Sequence, residues 1–340
     1  MLDWLLEDDV PAVQLLARQR LLGESPRSRR MAALRAACNG YPPVARMLAH
    51  VDRAIAAGDY HKYRGAFWTL IFLSELQADG RDERARRLAR HVLGRQLANG
   101  GFSPDGSERY EIVCLTANCL RALVQLGFGD HAAVERGYRR LAERILPCGG
   151  VPCVIVDLHS LQPSCTMTIP QTLRALAVAP GAKRSEMAEL RTLLVRRLLE
   201  VRVHRYVRPD LRAFRERIEP KRSKGTSLRV FKAAYLRDHP VATRDLQPKP
   251  GWLRFGFPNS YNPDLLEALL ALAELGVAHD PALDEALDHV ESRRGADGRW
   301  KLDDSLNGKM LADVERKGRP SKWITLRAAI VLQHFGRLKV

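Results

Sequence analysis

The chain has 340 residues, 46% of them hydrophobic, and a formal net charge of +16 from 55 basic and 39 acidic side chains. That composition excludes a mainly disordered protein, and no run of about 18 uninterrupted apolar residues marks a membrane-spanning helix. At this length the chain is either two domains or one repeat array.

The first ten residues, MLDWLLEDDV, are acidic and lack the basic start of a secretory signal, so a cytoplasmic protein is expected. Residues 1–60 read as short helices with breaks at 23–28 and 39–43, a helical cap. Beyond them, segments at 63–76, 112–126, 167–179, 265–275 and 323–335 are rich in Ala and Leu around their whole circumference, as buried helices are. Between these lie amphipathic segments at 82–97, 132–145, 185–201 and 282–293, in which Arg and Glu alternate with Leu, Val and Ala. The order is therefore buried helix, turn, amphipathic helix, glycine loop, buried helix, which is the signature of a helical repeat.

Three glycine loops punctuate the array alike: Gln96 to Phe102 with Gly100 and Gly101, Cys148 to Val151 with Gly149 and Gly150, and Gly295 to Trp300 with Gly298. Each follows an amphipathic helix, where glycine supplies the left-handed residue that ends it. The repeats fill 61–205 and 253–340, and a Pro-containing, irregular insertion at 206–252 separates them. Between Arg191 and Arg237 fifteen Lys/Arg stand against four acids, which concentrates the positive charge where phosphate, nucleic acid or acidic lipid would be attracted.

The junction Gln96, Gly100, Gly101, Phe102, with Gly298 and Trp300 as a partial copy, resembles the QW-type repeats of squalene and terpenoid cyclases and of protein prenyltransferase β subunits. The resemblance spans residues 60–335 and implies an all-α, α/α-toroid fold, with inner and outer helices in a ring around a central pocket. It extends to uncharacterised bacterial squalene-cyclase-like proteins through Cys114 to Asn118, Ser164-Cys165, Phe257-Pro258 and the run from Pro320 to Arg327. The chain departs from the catalytic members. The DxDD acid of class II cyclases is missing, Asp8-Asp9 and Asp303-Asp304 do not supply it, and no DDxxD magnesium motif occurs. Fold likeness therefore leaves the reaction open.

Cysteine placement is the sharpest local signal. Cys114, Cys119, Cys148, Cys153 and Cys165 cluster, while Cys38 stands apart. If the buried helices run parallel around a ring, Cys114, Cys153 and Cys165 approach one rim, together with Asp157 and His159. Three thiolates and one imidazole suit a zinc site, with Cys148 as an alternative ligand. Cys114 and Cys119 lie ~140° apart on a helix, so Cys119 belongs to the core. Without metal, Cys165 ahead of a helix start would be a thiolate candidate with His159 as its base. The alternative is that these cysteines are buried small hydrophobes.

The same rim collects His61, Lys62, Tyr63 and Trp68, then Tyr110 and Glu111, then Phe257, Asn259, Tyr261 and Asp264, and finally Lys322 and Trp323. Tyr63, Trp68, Tyr261 and Trp323 would line the mouth, and Lys322 would meet an anionic group. No phosphate-binding P-loop, strand-linked GxGxxG, HExxH or GxSxG occurs, so no nucleotide cofactor is expected. Three readings result. In the leading one, a cyclase- or prenyltransferase-like protein binds an apolar or phosphate-bearing small molecule beside a metal or thiolate site. In the second, a nucleic-acid-binding or -processing protein uses the basic block and rim aromatics. The third is a non-catalytic protein-binding scaffold.

Overall fold

The computed structural model describes residues 1–153, 164–181, 185–207, 216–239, 246–259 and 261–339. Helix makes up 57% of the chain and strand 3%, as an all-α protein requires. Among the described residues, no helix is long and apolar enough to cross a membrane.

Five helices are buried over nearly every residue: α6 (Ala66–Glu75), α8 (Val113–Leu123), α10 (Thr168–Ala177), α13 (Leu265–Glu274) and α15 (Lys322–His334). They pack in sequence, α6 on α8, α8 on α10, α10 on α13 and α13 on α15. Four amphipathic helices flank them, α7 (Glu83–Gly94) on α6, α9 (Ala132–Ile145) on α8, α11 (Ser185–Glu200) on α10, and α14 (Asp284–Ser292) on both α13 and α15. On α7 the buried face is Ala85, Leu88, Ala89 and Val92, the i, i+3, i+4, i+7 stripe of a one-sided helix. The expected helices agree with these bounds to within a few residues. Past its end α8 continues through a π-helical turn at Val124–Phe128, bent at Gly127, which accounts for the expected segment running on to 126.

The five N-terminal helices are α1 (Leu2–Leu5), α2 (Pro11–Arg20), α3 (Arg29–Ala37), α4 (Pro42–Ala49) and α5 (Val51–Ala56). Of these, α1 and α2 pack on α15 while α4 and α5 pack on α6, so the segment spans from the last buried helix to the first.

The glycine loops share one hydrogen-bond pattern. The residue after each loop accepts from the backbone just ahead of the next buried helix: Ile112 N–H to Phe102 O (3.0 Å), Cys165 N–H to Val151 O (2.9 Å) and Ser321 N–H to Trp300 O (2.8 Å). In two repeats a helix threonine accepts in return, Phe102 N–H to Thr116 Oγ1 and Trp300 N–H to Thr325 Oγ1, both 3.0 Å. Gln96 Nε2 bonds Gly100 O (2.9 Å) and Ala133 O (2.8 Å), locking the end of one outer helix to the start of the next. Gly100 sits at φ +92°, and a Cβ there would stand 2.7 Å from the Arg136 carbonyl oxygen, so no other residue fits.

The 206–252 segment is not wholly irregular, as the sequence had suggested. Its described part holds helix α12 (Leu228–Asp238), which Ser227 caps by accepting from Val230 N–H. It also holds β2 (Leu246–Pro248), paired antiparallel with β1 (Arg205–Val207). Prolines mark element ends there rather than a lack of elements.

A buried charge cluster ties the five inner helices. Glu75, at the end of α6, accepts from Arg121 of α8, from Arg174 of α10 (2.8 Å) and from Arg327 of α15 (2.8 Å). Arg174 also reaches Glu267 (2.9 Å) and Glu274 (3.4 Å) on α13. Burial alone would raise the Glu75 carboxyl, but the three guanidinium groups outweigh it and hold the group well below the usual range. Asp264 caps α13, accepting from Gly256 N–H and Glu267 N–H, both 2.7 Å. Burial, and then the charge of Glu267, push its carboxyl from 3.8 up to about 6.

Two outcomes follow for stability. Glu75→Ala leaves three buried arginines without their shared acceptor, and we expect a loss of about 3–5 kcal/mol in urea unfolding; a loss under about 1 kcal/mol would contradict the arrangement. Asp264 holds its proton to higher pH folded than unfolded, so its contribution is full at low pH and fades as pH rises through about 6. The stability of Asp264→Asn relative to wild type should therefore climb between about pH 4 and pH 7; a flat difference would refute the assignment.

Candidate functional site

The N-terminal ends of α6, α8, α10 and α13 meet at a cluster of thiols and aromatic rings. Cys114 lies in the first turn of α8, Cys165 just ahead of α10, and Cys153 on the loop that leaves Gly150. Cys153 and Cys165 are electrostatic neighbours. Thr168, the first residue of α10, donates to Cys165 Sγ (3.3 Å) and also bonds Cys114. This threonine is free for the sulfurs because Ser164 Oγ takes the Val151 N–H (2.8 Å), the role that threonines play in the other two loops. Burial and the adjacent Cys153 push the Cys114 thiol up to about 12.

On the α6 and α13 side, the Tyr60 and Tyr261 hydroxyls hydrogen-bond each other across 201 residues of sequence. Trp68 packs edge-on against Tyr261 at 4.8 Å and against Tyr63 at 5.4 Å. Both Tyr60 and Tyr261 stand close enough to feel the charge of Cys114, and burial raises both phenols.

The remaining member is Lys249, which follows β2. Its ammonium donates to Thr166 Oγ1 and lies 4.5 Å from the Trp252 ring and 5.9 Å from that of Tyr206. Burial pushes the amine down to about 8. Among the described residues no carboxylate pairs with it. Among the described residues, then, a half-buried cation without an acidic partner stands beside Cys165 and the start of α10, and both place positive potential there.

The structure thus brings Cys114, Cys153, Cys165, Tyr63, Trp68 and Tyr261 together and assigns the others elsewhere. Lys322 is 4% exposed, and its amine is already held by Glu7 (2.8 Å) and Asp9 with Trp4 5.3 Å away. It ties α15 to the N-terminal segment rather than waiting for an anion. Trp323 is 2% exposed and stacks on Phe257 at 4.3 Å, and Arg327 covers the other partner of that stack at 4.7 Å. Cys119 and Cys38 are fully buried, the latter donating to Leu34 O (3.2 Å). His159 and Asp157 lie outside the described residues. Among those described, no group of three or more His, Cys, Asp or Glu could hold a metal ion.

Sequence reasoning missed Lys249, Tyr60 and Thr168. The threonine was legible as the counterpart of Thr116 and Thr325, but the lysine sat in the segment read as an irregular insertion. A cleft of about 580 Å³ opens elsewhere, lined by Gln77, Asp79, Arg81, Gln125 and His131 past the C-terminal ends of α6 and α8. Its Arg81 is already paired with Asp79 at 2.6 Å.

No family model and no curated protein matches this chain.

The Lys249 amine gives the site a direct readout. Its acylation by an excess of acetic anhydride, followed by peptide mapping across pH, should show a midpoint near 8, where exposed lysines titrate near 10.5. A midpoint with the exposed lysines would mean the amine is solvated and the site open.

Proposed function

We propose that the chain is an α/α toroid of the terpenoid-cyclase and prenyltransferase-like kind. Its ligand is an apolar molecule carrying a phosphate or similar anionic group, bound at the N-terminal mouth of the inner helices. The observation that carries this reading is Lys249, an ammonium held between Thr166, Trp252 and Tyr206 beside Cys165, with no carboxylate paired to it among the described residues.

The start of α8 carries Cys114 and that of α10 lies just after Cys165, so their positive dipole ends face the thiol cluster, which favours an anion there. Tyr60, Tyr63, Trp68 and Tyr261 offer the apolar surface against which a hydrocarbon would lie. The ring reading is supported by the stepwise packing from α6 to α15, and by the bonds that return from Arg327 and Tyr261 to Glu75 and Tyr60 on or ahead of α6. The Glu75 cluster would then form a polar floor, and the ligand would rest along the aromatic wall.

One observation favours nucleic acid as a second reading. Lys221, Arg222 and Lys224 are exposed in the basic segment whose far end delivers Lys249 to the thiols. Such a partner would bind through counterion release and weaken steeply with salt.

Farnesyl diphosphate, inorganic diphosphate and a single-stranded oligonucleotide, each titrated against tryptophan fluorescence, separate these readings. We expect farnesyl diphosphate to bind more tightly than diphosphate alone, and Lys249→Gln to weaken it at least about tenfold. Equal binding by the variant would sink the proposal, and tight, salt-sensitive binding of the oligonucleotide alone would transfer the site to nucleic acid.

A further inference from the structure

At the other end of the inner helices, away from the thiols, lies the cleft of about 580 Å³ between the α6–α7 and α8–α9 turns. Specific contacts set its walls. Gln77, at φ +58°, takes the chain out of α6 through the left-handed region, which a residue with a side chain adopts at a cost. Gly127, at φ +89°, does the same inside the π-helical turn past α8. The two turns touch: a Cβ on Gly80 would run into the Leu126 carbonyl, so glycine is required there. Asn39 brings the end of α3 to the same place, accepting from Asp79 N–H (2.7 Å) and donating to Asp79 O (3.3 Å). Arg35 of α3 thereby joins Arg86 of α7 and His131, the cap of α9, around the cleft.

Side chains decide the sign of this cleft. The C-terminal ends of α6 and α8 and the starts of α7 and α9 border it, so opposed helix dipoles cancel. Of the acids that line it, Asp79 is taken up by Arg81. Its two carboxylate oxygens accept from that guanidinium at 3.0 and 2.6 Å, and the Arg81 backbone N–H adds a bond of 3.0 Å. The other acid is Asp130, and two more arginines stand against it. Arg35 lies close enough to Asp79 to help lower its carboxyl, and Arg86 has no acidic partner among the described residues. Uncharged donors add to these. His131 Nδ1 accepts from Ala133 N–H (3.1 Å), so in the neutral ring Nε2 carries the proton. Gln125 Oε1 accepts from Ser74 Oγ, which leaves the Nε2 hydrogens of Gln125 as donors.

The neighbouring clefts on this rim differ. The next, of about 210 Å³, sets Asp130, Glu135 and Glu186 against Arg139. The one between α11 and the turn after α13, of about 560 Å³, balances Arg191 and Arg196 with Glu200 and Asp280. Of these three clefts, the first alone has an excess of cations, so its arginines are not a by-product of the repeat.

We infer that this cleft binds a small phosphate monoester, its anion held by Arg86, Arg35 and the His131 Nε2–H. A phosphate presents three oxygens and about two negative charges, which paired guanidinium groups match better than a single carboxylate does. The volume lies in the range of small-molecule pockets, and Gln77, Gln125 and Asp130 remain for hydroxyl groups of the same ligand. The site is separate from the thiol mouth and does not rest on the ligand proposed there.

The test follows the His131 imidazole Cε1–H by NMR in the full chain, the signal being assigned by its loss in His131→Gln. Ribose 5-phosphate, ribose and citrate are the titrants. Ribose 5-phosphate should move this signal saturably, with a Kd below about 1 mM, and ribose should not. Arg86→Gln and Arg35→Gln should keep the wild-type far-UV circular dichroism and each weaken binding at least about fivefold. Lys249→Gln should leave the titration unchanged, since its amine lies at the opposite helix ends. No saturable shift in folded wild type, or undiminished binding by Arg86→Gln, would overturn the site. Citrate binding as tightly as ribose 5-phosphate would overturn the phosphate class. Loss of the shift in Lys249→Gln would overturn the location and move the anion to the thiol mouth.

Discussion

The arrangement depends most on a single buried carboxylate. Glu75 lies at the end of α6 and accepts from arginines on α8, α10 and α15, and Arg174 carries the connection on to α13. Charges buried this deeply are costly unless each hydrogen-bonding position is met by a partner, so the cluster tolerates few alternative packings. It fixes how far each inner helix is displaced along its axis, and thereby which residues reach the opposite, N-terminal ends. The interior at this level is filled by side chains of both signs.

With that register set, the repeat loops decide the site. Three equivalent backbone bonds, at Phe102, Val151 and Trp300, hold the chain against the start of each following helix. In two of the repeats a threonine completes the bond pattern. In the middle one Ser164 does so, which leaves Thr168 for the sulfurs and puts Cys165 where the neighbouring repeats have Ile112 and Ser321. One local exchange of partners thus turns a structural junction into a place where thiols, a lysine and aromatic rings meet.

Much of this was legible in the sequence. All-round apolarity separated the five inner helices from the one-sided outer ones, and the glycine loops marked the repeat, because both patterns are consequences of local burial and backbone conformation. From the repeat alone, Cys114, Cys153 and Cys165 were expected at one rim, with Cys119 turned into the core. The buried charges were not legible, since Glu75, Arg121, Arg174 and Arg327 carry no mark of their shared partner. The available hint was a charge inside an otherwise apolar helix, as in the run from Trp323 to Leu332. Lys322 misled for the opposite reason: its neutralising Glu7 and Asp9 lie 315 and 313 residues away. Lys249 was hidden because its segment is ordered by pairing with β1, a contact that local propensity does not encode.

The most direct test of this helix arrangement is whether the start of α6 meets the start of α13. Ruthenium-sensitised photo-oxidation couples tyrosines whose rings are in contact, and the Tyr60 and Tyr261 rings are 6.4 Å apart. Peptide mapping should recover a dityrosine that joins the Tyr60 and Tyr261 peptides and disappears in Tyr261→Phe. Recovery of folded protein with no such link, or with dityrosine only between other residues, would contradict the convergence of these helix ends.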